Sequence, residues 1–252
     1  MLKEEQLLEK RFIELSRTAF HRNIITFTDF LNLNELNILH TIPKTELYCN
    51  YVTFGGYDTA ERQMAAFVPD ALSLRTDKYP ISALEIRPSS IKFAESLTHR
   101  DYLGAVLNLG IERSMTGDIL IDGNKAIMFV QDKMADYICD GLTRVRHTNI
   151  SIYKTGIDEF DYEPKTEVIK GTVASVRLDS LLSLAFSSSR TKLTGLIEGG
   201  KVFVNGKLMT TNAYQVKEDD IISVRGMGKF KFHGSEGKSR KNRIYVELYK
   251  YV

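Results

Sequence analysis

The stretch VRLDSLLSLAFSSSRTKLTGLIEGGKVFVNGKL, from Val176 to Leu208, carries the densest structural information in the chain. It opens on Val176-Arg177-Leu178-Asp179, and Leu181, Leu182, Leu184 and Phe186 then recur as the apolar face of a helix. Ser187-Ser188-Ser189 interrupts that periodicity. A serine hydroxyl satisfies an otherwise unpaired helical N–H, so a second helix is expected from about Ser189, turning Leu193, Leu196 and Ile197 inward. Gly199-Gly200 ends it, because glycine enters the left-handed region without a Cβ penalty. Asn205-Gly206, set between alternating apolar residues, predicts a two-residue hairpin turn that needs positive φ at both positions. Ile221–Arg225 supplies a further strand.

The cations of this stretch have a consistent placement. Arg190 and Lys192 fall in the first turn of the second helix, where free N–H groups and the helix dipole already favour phosphate. Lys201 and Lys207 flank the hairpin. A compact cationic surface of this kind suits the shape and backbone of folded RNA better than base sequence. Ser189 and Asn205 mark the helix start and the turn of that face. Arg177 has two open readings, an RNA contact or an ion pair with Asp179 or a neighbouring carboxylate, and Asp179 itself reads as a helix cap.

The pattern resembles the S4 domain family, named after a small-subunit ribosomal protein. The residues that carry the likeness are Arg177-Leu178-Asp179, Ser189-Arg190, Leu196-Ile197, Gly200, Val202 and Val204-Asn205-Gly206-Lys207. One departure stands out: the family usually has Gly-Asp before its last strand, and Asp219-Asp220 stands there in this chain.

Beyond the module, seven basic residues (Arg225, Lys229, Lys231, Lys238, Arg240, Lys241 and Arg243) meet one acidic residue, Glu236, with glycines interleaved. This reads as a basic, flexible loop that orders on RNA, with a solvated hairpin as the alternative. Charge supports the first. Residues 175–252 hold 14 Lys+Arg against 7 Asp+Glu, leaving 20 against 25 for residues 1–174. An acidic body with a basic C-terminal third points one end at a polyanion.

Upstream, Leu7, Leu8, Phe12, Leu15, Ala19 and Phe20 predict a helix, and a second should start near Thr28-Asp29 and end before Pro43. Glu46–Phe54 reads as strand, Gly55-Gly56 as a break, and Asp58–Phe67 as helix. From Ile81 to Ile157 the pattern is βαββαβ, with helices at His99–Leu109 and Gln131–Leu142 and the turn Asp122-Gly123-Asn124 between two strands. The class is therefore α+β. The expected domains are an N-terminal helical α/β unit over 1–78, a ferredoxin- or RRM-like domain over 79–163, a connector or edge strand over 164–175, and the S4 domain with its basic C-terminal hairpin over 176–252.

Several functions are excluded or disfavoured. No apolar run approaches the ~20 residues that span a bilayer, and the charged N-terminus has no signal-peptide pattern, so a cytoplasmic location is expected. Cys49, Cys139 and five scattered histidines offer no disulfide framework and no metal pattern, and no cofactor is expected. His99-Arg100-Asp101 starts like a kinase catalytic loop, but Val106 stands where that loop needs asparagine. Phe54-Gly55-Gly56-Tyr57-Asp58 lacks the Gly-Lys-Ser/Thr of a P-loop and reads as a tight turn. No Gly-x-Gly-x-x-Gly marks a Rossmann methyltransferase.

Phe54-Gly55-Gly56-Tyr57, Ala60-Glu61-Arg62, His99-Arg100-Asp101-Tyr102-Leu103-Gly104, Gly110-Ile111-Glu112-Arg113, Gly117-Asp118-Ile119 and Gly171-Thr172-Val173 are similar to blocks of the YlmH-type S4 proteins of Gram-positive bacteria. That resemblance implies a non-catalytic RNA-binding protein, encoded near cell-division genes. It implies 23S rRNA or tRNA and the large ribosomal subunit as partners, in rescue of stalled subunits, with no membrane or DNA partner. Two other readings stand beside it. One is an RNA-modifying enzyme (a pseudouridine synthase or methyltransferase type) with Asp101 or Asp118 as its suspect residue. The other is an interaction protein of cell division.

Overall fold

The computed structural model describes residues 3–157 and 165–251, which form two compact units divided near residue 162. In the first unit, α1 (Lys3–Arg22) and α2 (Leu33–Thr41) cover one face of a sheet made of β1 (Thr26–Phe27), β2 (Asn50–Phe54) and β3 (Met64–Val68), in the order β1-β3-β2. Phe12, Ala19, Leu36, Leu39, Ala65 and Phe67 form the core between them. Helix α2 begins later than Thr28-Asp29. Asn32 Oδ1 accepts from the Asn34 and Glu35 amides, while Glu35 reaches back to the Asn32 N–H at 2.7 Å. This reciprocal cap satisfies donors that Thr28 cannot reach, since the Thr28 hydroxyl accepts from Ala65 N.

The helix expected over Asp58–Phe67 is absent. Met64–Val68 is the central strand of the three, paired to Phe54–Asn50 on one side and Phe27–Thr26 on the other. Both faces are covered: Ala65 and Phe67 turn toward the helices, and Met64 and Ala66 toward the next sheet. A strand buried on both sides loses the alternation by which strands are read, and Met-Ala-Ala mimics a helix.

That next sheet has the split βαβ topology. Strands β4 (Ile81–Pro88), β5 (Thr116–Asp122), β6 (Lys125–Gln131), β7 (Arg144–Val145) and β8 (Thr148–Thr155) lie in the order β5-β6-β4-β8-β7, all pairs antiparallel. Helices α3 (His99–Leu107) and α4 (Asp132–Gly141) pack on one face through Tyr102, Val106, Ala135 and Ile138. The other face is closed as well. Ile81, Ala83, Ile127 and Phe129 share a core with Phe30, Met64 and Ala66, so the 1–78 and 79–163 segments are fused through buried side chains.

In the second unit, α5 (Leu178–Phe186) and α6 (Arg190–Glu198) pack on a six-stranded sheet. Its strands are β9 (Thr166–Val173), β10 (Val202–Val204), β11 (Lys207–Leu208), β12 (Ile221–Val224), β13 (Gly228–Lys238) and β14 (Ile244–Tyr251), in the order β11-β10-β12-β13-β14-β9. The segment expected as a connector or edge strand gives eight residues, β9, to the sheet edge, paired with all of β14. The stretch after Arg225 is a long hairpin, not a flexible loop. Phe230, Phe232, Val246 and Leu248 alternate into the core, and that burial holds the strands despite the glycines between them.

Candidate nucleic-acid interface

The cationic surface is built on two helix ends and two turns. Ser189 caps α6, its hydroxyl accepting from Lys192 N at 3.4 Å. Arg190 opens the helix, and its side chain lies outside the described part of the structure. Lys192 is exposed one turn in, on the side where the helix N–H groups are free. The other end of α6 runs through Gly199-Gly200 to Lys201, whose N–H bonds the Leu196 carbonyl.

At the first turn, Asn205 and Gly206 both take positive φ (48° and 78°), the conformation a two-residue hairpin requires. Asn205 is occupied in full: its amide donates to Asp220 at 2.7 Å, and its Oδ1 accepts from Ile221 N at 2.9 Å. It shapes the turn and leaves Lys207 exposed beside it. Asp219, at the place of the family's usual glycine, adopts φ 67°, so the departure is met by putting a non-glycine residue in the left-handed region.

At the second turn, Arg225 is exposed, and its guanidinium lies 5.3 Å from the Phe203 ring centroid while its N–H bonds the Lys201 carbonyl. Lys201 and Arg225 are thereby neighbours at one end of the sheet. Lys229 Nζ sits 5.3 Å from the Tyr251 ring centroid. Lys231 pairs with Asp219 at 2.8 Å, which neutralises it. Arg177 donates two bonds of 3.1 Å to Asp179, which is the ion pair among its two readings. Asp179 is buried and also accepts from Ser180 N, so it orders the start of α5. Arg240 and Lys241 stand exposed at the far tip of the β13–β14 hairpin. Lys238 and Arg243 join them there, legible only in the density of basic residues.

Both suspected catalytic carboxylates are engaged in structural hydrogen bonds. Asp101 accepts from the backbone N–H and hydroxyl of Thr98 at 2.8 and 2.7 Å, capping α3; those bonds hold its carboxyl below the usual range, with Arg146 adding to the shift. Asp118 accepts from the Tyr57 hydroxyl (2.9 Å), Glu61 N (2.7 Å) and Arg62 N (3.2 Å), pinning the 55–63 turn against β5. Behind it, Arg62 donates to the carbonyls of Phe30, Arg113 and Thr116, and Arg113 to those of Thr116 and Gly117. Burial, helped by the charge of Arg62 and opposed by Asp118, lowers Arg113 to about 10. Gly56 is a tight structural turn: a Cβ there would fall 2.2 Å from the Phe129 ring. Phe129 is fully buried and stacked on Tyr57, so the aromatic of β6 cannot serve as a base-stacking platform.

Residues 176–222 match the S4 domain family, and residues 75–159 match the family described as "Putative RNA-binding domain in YlmH". Both matches are to domains of the kind that YlmH-type S4 proteins carry, and the chain is similar to that group over both. It is 29% identical over 245 residues (97% of this chain, 94% of the relative) to "Ribosome-associated protein quality control protein P2" of Bacillus subtilis. A solved structure, "Cell division protein ylmH from Streptococcus pneumoniae", is 26% identical with a TM-score of 0.52, covering 63% of this chain and 95% of that one. Small ribosomal subunit protein uS4A of Clostridium novyi is 34% identical over 90 residues, 31% of this chain and 44% of that protein. Among the described residues, no helix is long and apolar enough to cross a membrane.

Proposed function

We propose that this chain is a non-catalytic RNA-binding protein of the ribosome, acting in the cytoplasm on the large subunit where translation has stalled. The observation that carries the reading is the S4 module over 176–222, which presents Lys192, Lys201 and Lys207 to solvent, with Arg225 exposed just beyond it. The quality-control role in the name of the Bacillus relative, aligned over nearly the whole of both chains, supports the ribosomal setting. The engagement of Asp101 and Asp118 in structural hydrogen bonds supports a role without catalysis. The RNA targets are structured rRNA or tRNA, gripped through phosphates by positions whose charge is not already spent on a carboxylate.

Sucrose-gradient sedimentation of a lysate, probed for the chain, tests this. It is expected with the large subunit, and release by moderate salt is expected to return it to the top fractions. Residence with the small subunit, or at the top of the gradient in low salt, would remove the ribosomal reading.

A further inference from the structure

Strand β13 joins two cationic ends of the C-terminal sheet. It starts at Gly228, just after Arg225, and runs eleven residues to Lys238, a span of roughly 30 Å at ~3.3 Å per residue. At its far end the chain turns through 239–243 in a closed, braced loop. Ser239 N bonds the Arg243 carbonyl at 2.7 Å, Asn242 N the Ser239 carbonyl at 2.9 Å, and Arg243 N the Ser239 hydroxyl at 3.1 Å. Arg243 Nε reaches Thr172 Oγ1 on β9 at 3.0 Å, tying the tip to the sheet edge. Lys238, Arg240 and Lys241 project from this rigid turn, all exposed. Among the described residues no carboxylate pairs with any of the three.

Between the two ends, the sheet face turned away from the helices is not cationic. Lys231 pairs with Asp219 and Lys170 with Glu247, each at 2.8 Å, and Glu218 and Glu236 line the same concave surface beside His233. An RNA backbone laid along this face would meet a neutral to acidic middle, so one strand tracking from end to end is disfavoured.

We propose that the 238–243 tip is a second RNA contact, acting independently of the end that holds Lys201 and Arg225, so that the unit grips two RNA segments at once. This rests on the RNA-binding reading above and deepens it. A preorganised tip loses little entropy on binding, and two linked contacts multiply their affinities when both can be engaged. A short stem engages only one end. An RNA with arms long enough to span both engages the pair.

The test is fluorescence anisotropy on the full chain with two labelled RNAs, a stem-loop of about six base pairs (~20 Å at most) and a three-way junction whose arms exceed the span. Substituting Lys238→Gln, Arg240→Gln and Lys241→Gln together should leave stem-loop affinity within about two-fold and weaken junction binding about 10- to 100-fold. The junction's log–log salt slope should become shallower by roughly 2 to 3. Lys238→Arg with Lys241→Arg, which keeps the charges, should bind both RNAs as the parent does. Equal loss on both RNAs would show one continuous surface and overturn the proposal. Undiminished junction binding would show that the tip carries no RNA, and would overturn it as well. A parent chain that binds neither RNA would remove the RNA-binding reading itself, an outcome distinct from both.

Discussion

The side-chain amide of Asn205 donates to the carboxylate of Asp220 at 2.7 Å, fastening the β10–β11 turn to the start of β12. Asp220 is buried, and its other oxygen accepts from Lys217 N at 2.8 Å, so one carboxylate sets the path of the chain on both sides. Loss of Asn205 removes two side-chain bonds and leaves an alanine at φ 48°. Asn205→Ala should cost about 2 kcal/mol of stability in urea denaturation. Asp220→Ala should cost a similar amount, and the double variant less than the sum of the two. Additive losses would show that the bond contributes nothing.

Asp219 should be improvable. It holds φ 67° against the preference of a side-chain-bearing residue, and its ion pair with Lys231 is solvent-exposed on the aspartate side. Asp219→Gly should therefore raise the unfolding midpoint, because relief of strain outweighs an exposed pair. A lower midpoint would mean that the pair contributes more than the strain costs.

Asp118 separates the structural account from the enzymatic one. Asp118→Ala deprives the Tyr57 hydroxyl and two turn amides of their acceptor beside half-buried Arg62, and should cost about 3 kcal/mol or more. Mass-spectrometric maps of rRNA and tRNA from cells lacking the chain should match the parent. A missing modification, restored by the chain and not by its Asp101→Asn or Asp118→Asn variants, would establish catalysis.

Gly56→Ala tests the closure of the central sheet. The added methyl would overlap the Phe129 ring, and the residue already holds φ 101°. Loss of about 3 kcal/mol or more is expected, seen as a fall in midpoint with the Tyr57–Phe129 stack disturbed. A neutral substitution would mean that the turn is loosely packed.

Acid should loosen the sheet pairs. Lys231 holds Asp219, and Lys170 holds Glu247, below the ordinary carboxylate range through hydrogen bonding and charge. For a depressed folded-state pKa, the stabilisation is present above the unfolded value, near 4, and is lost as pH falls through the folded one. Denaturation midpoints at pH 6 and pH 3 should differ less in an Asp219→Asn, Glu247→Gln double variant than in the parent.

What the sequence makes legible follows from local rules. The Ser189 cap, the Asn205-Gly206 turn and the βαββαβ order each rest on residues whose preference survives in the folded chain. Met64–Val68 was not legible, because burial on both faces erases the alternation that marks a strand. The hairpin after Arg225 was open beside a flexible-loop reading because of its glycines, although Phe230 and Phe232 show the alternating half. In the candidate interface, cations were visible but their partners were not. Lys231 and Arg177 have their charge offset by Asp219 and Asp179, contacts that only register and cap geometry reveal.

In the proposed function, unpaired surface cations of the C-terminal unit hold structured RNA by its phosphates. The most direct measurement is the dissociation constant of the full chain for a large-subunit rRNA fragment across a series of salt concentrations. Release of counterions from about four to six phosphates predicts a log–log slope of roughly −3 to −5, made shallower when Lys192, Lys201 and Arg225 become glutamine. A flat salt dependence, or a slope unchanged by those substitutions, would contradict it.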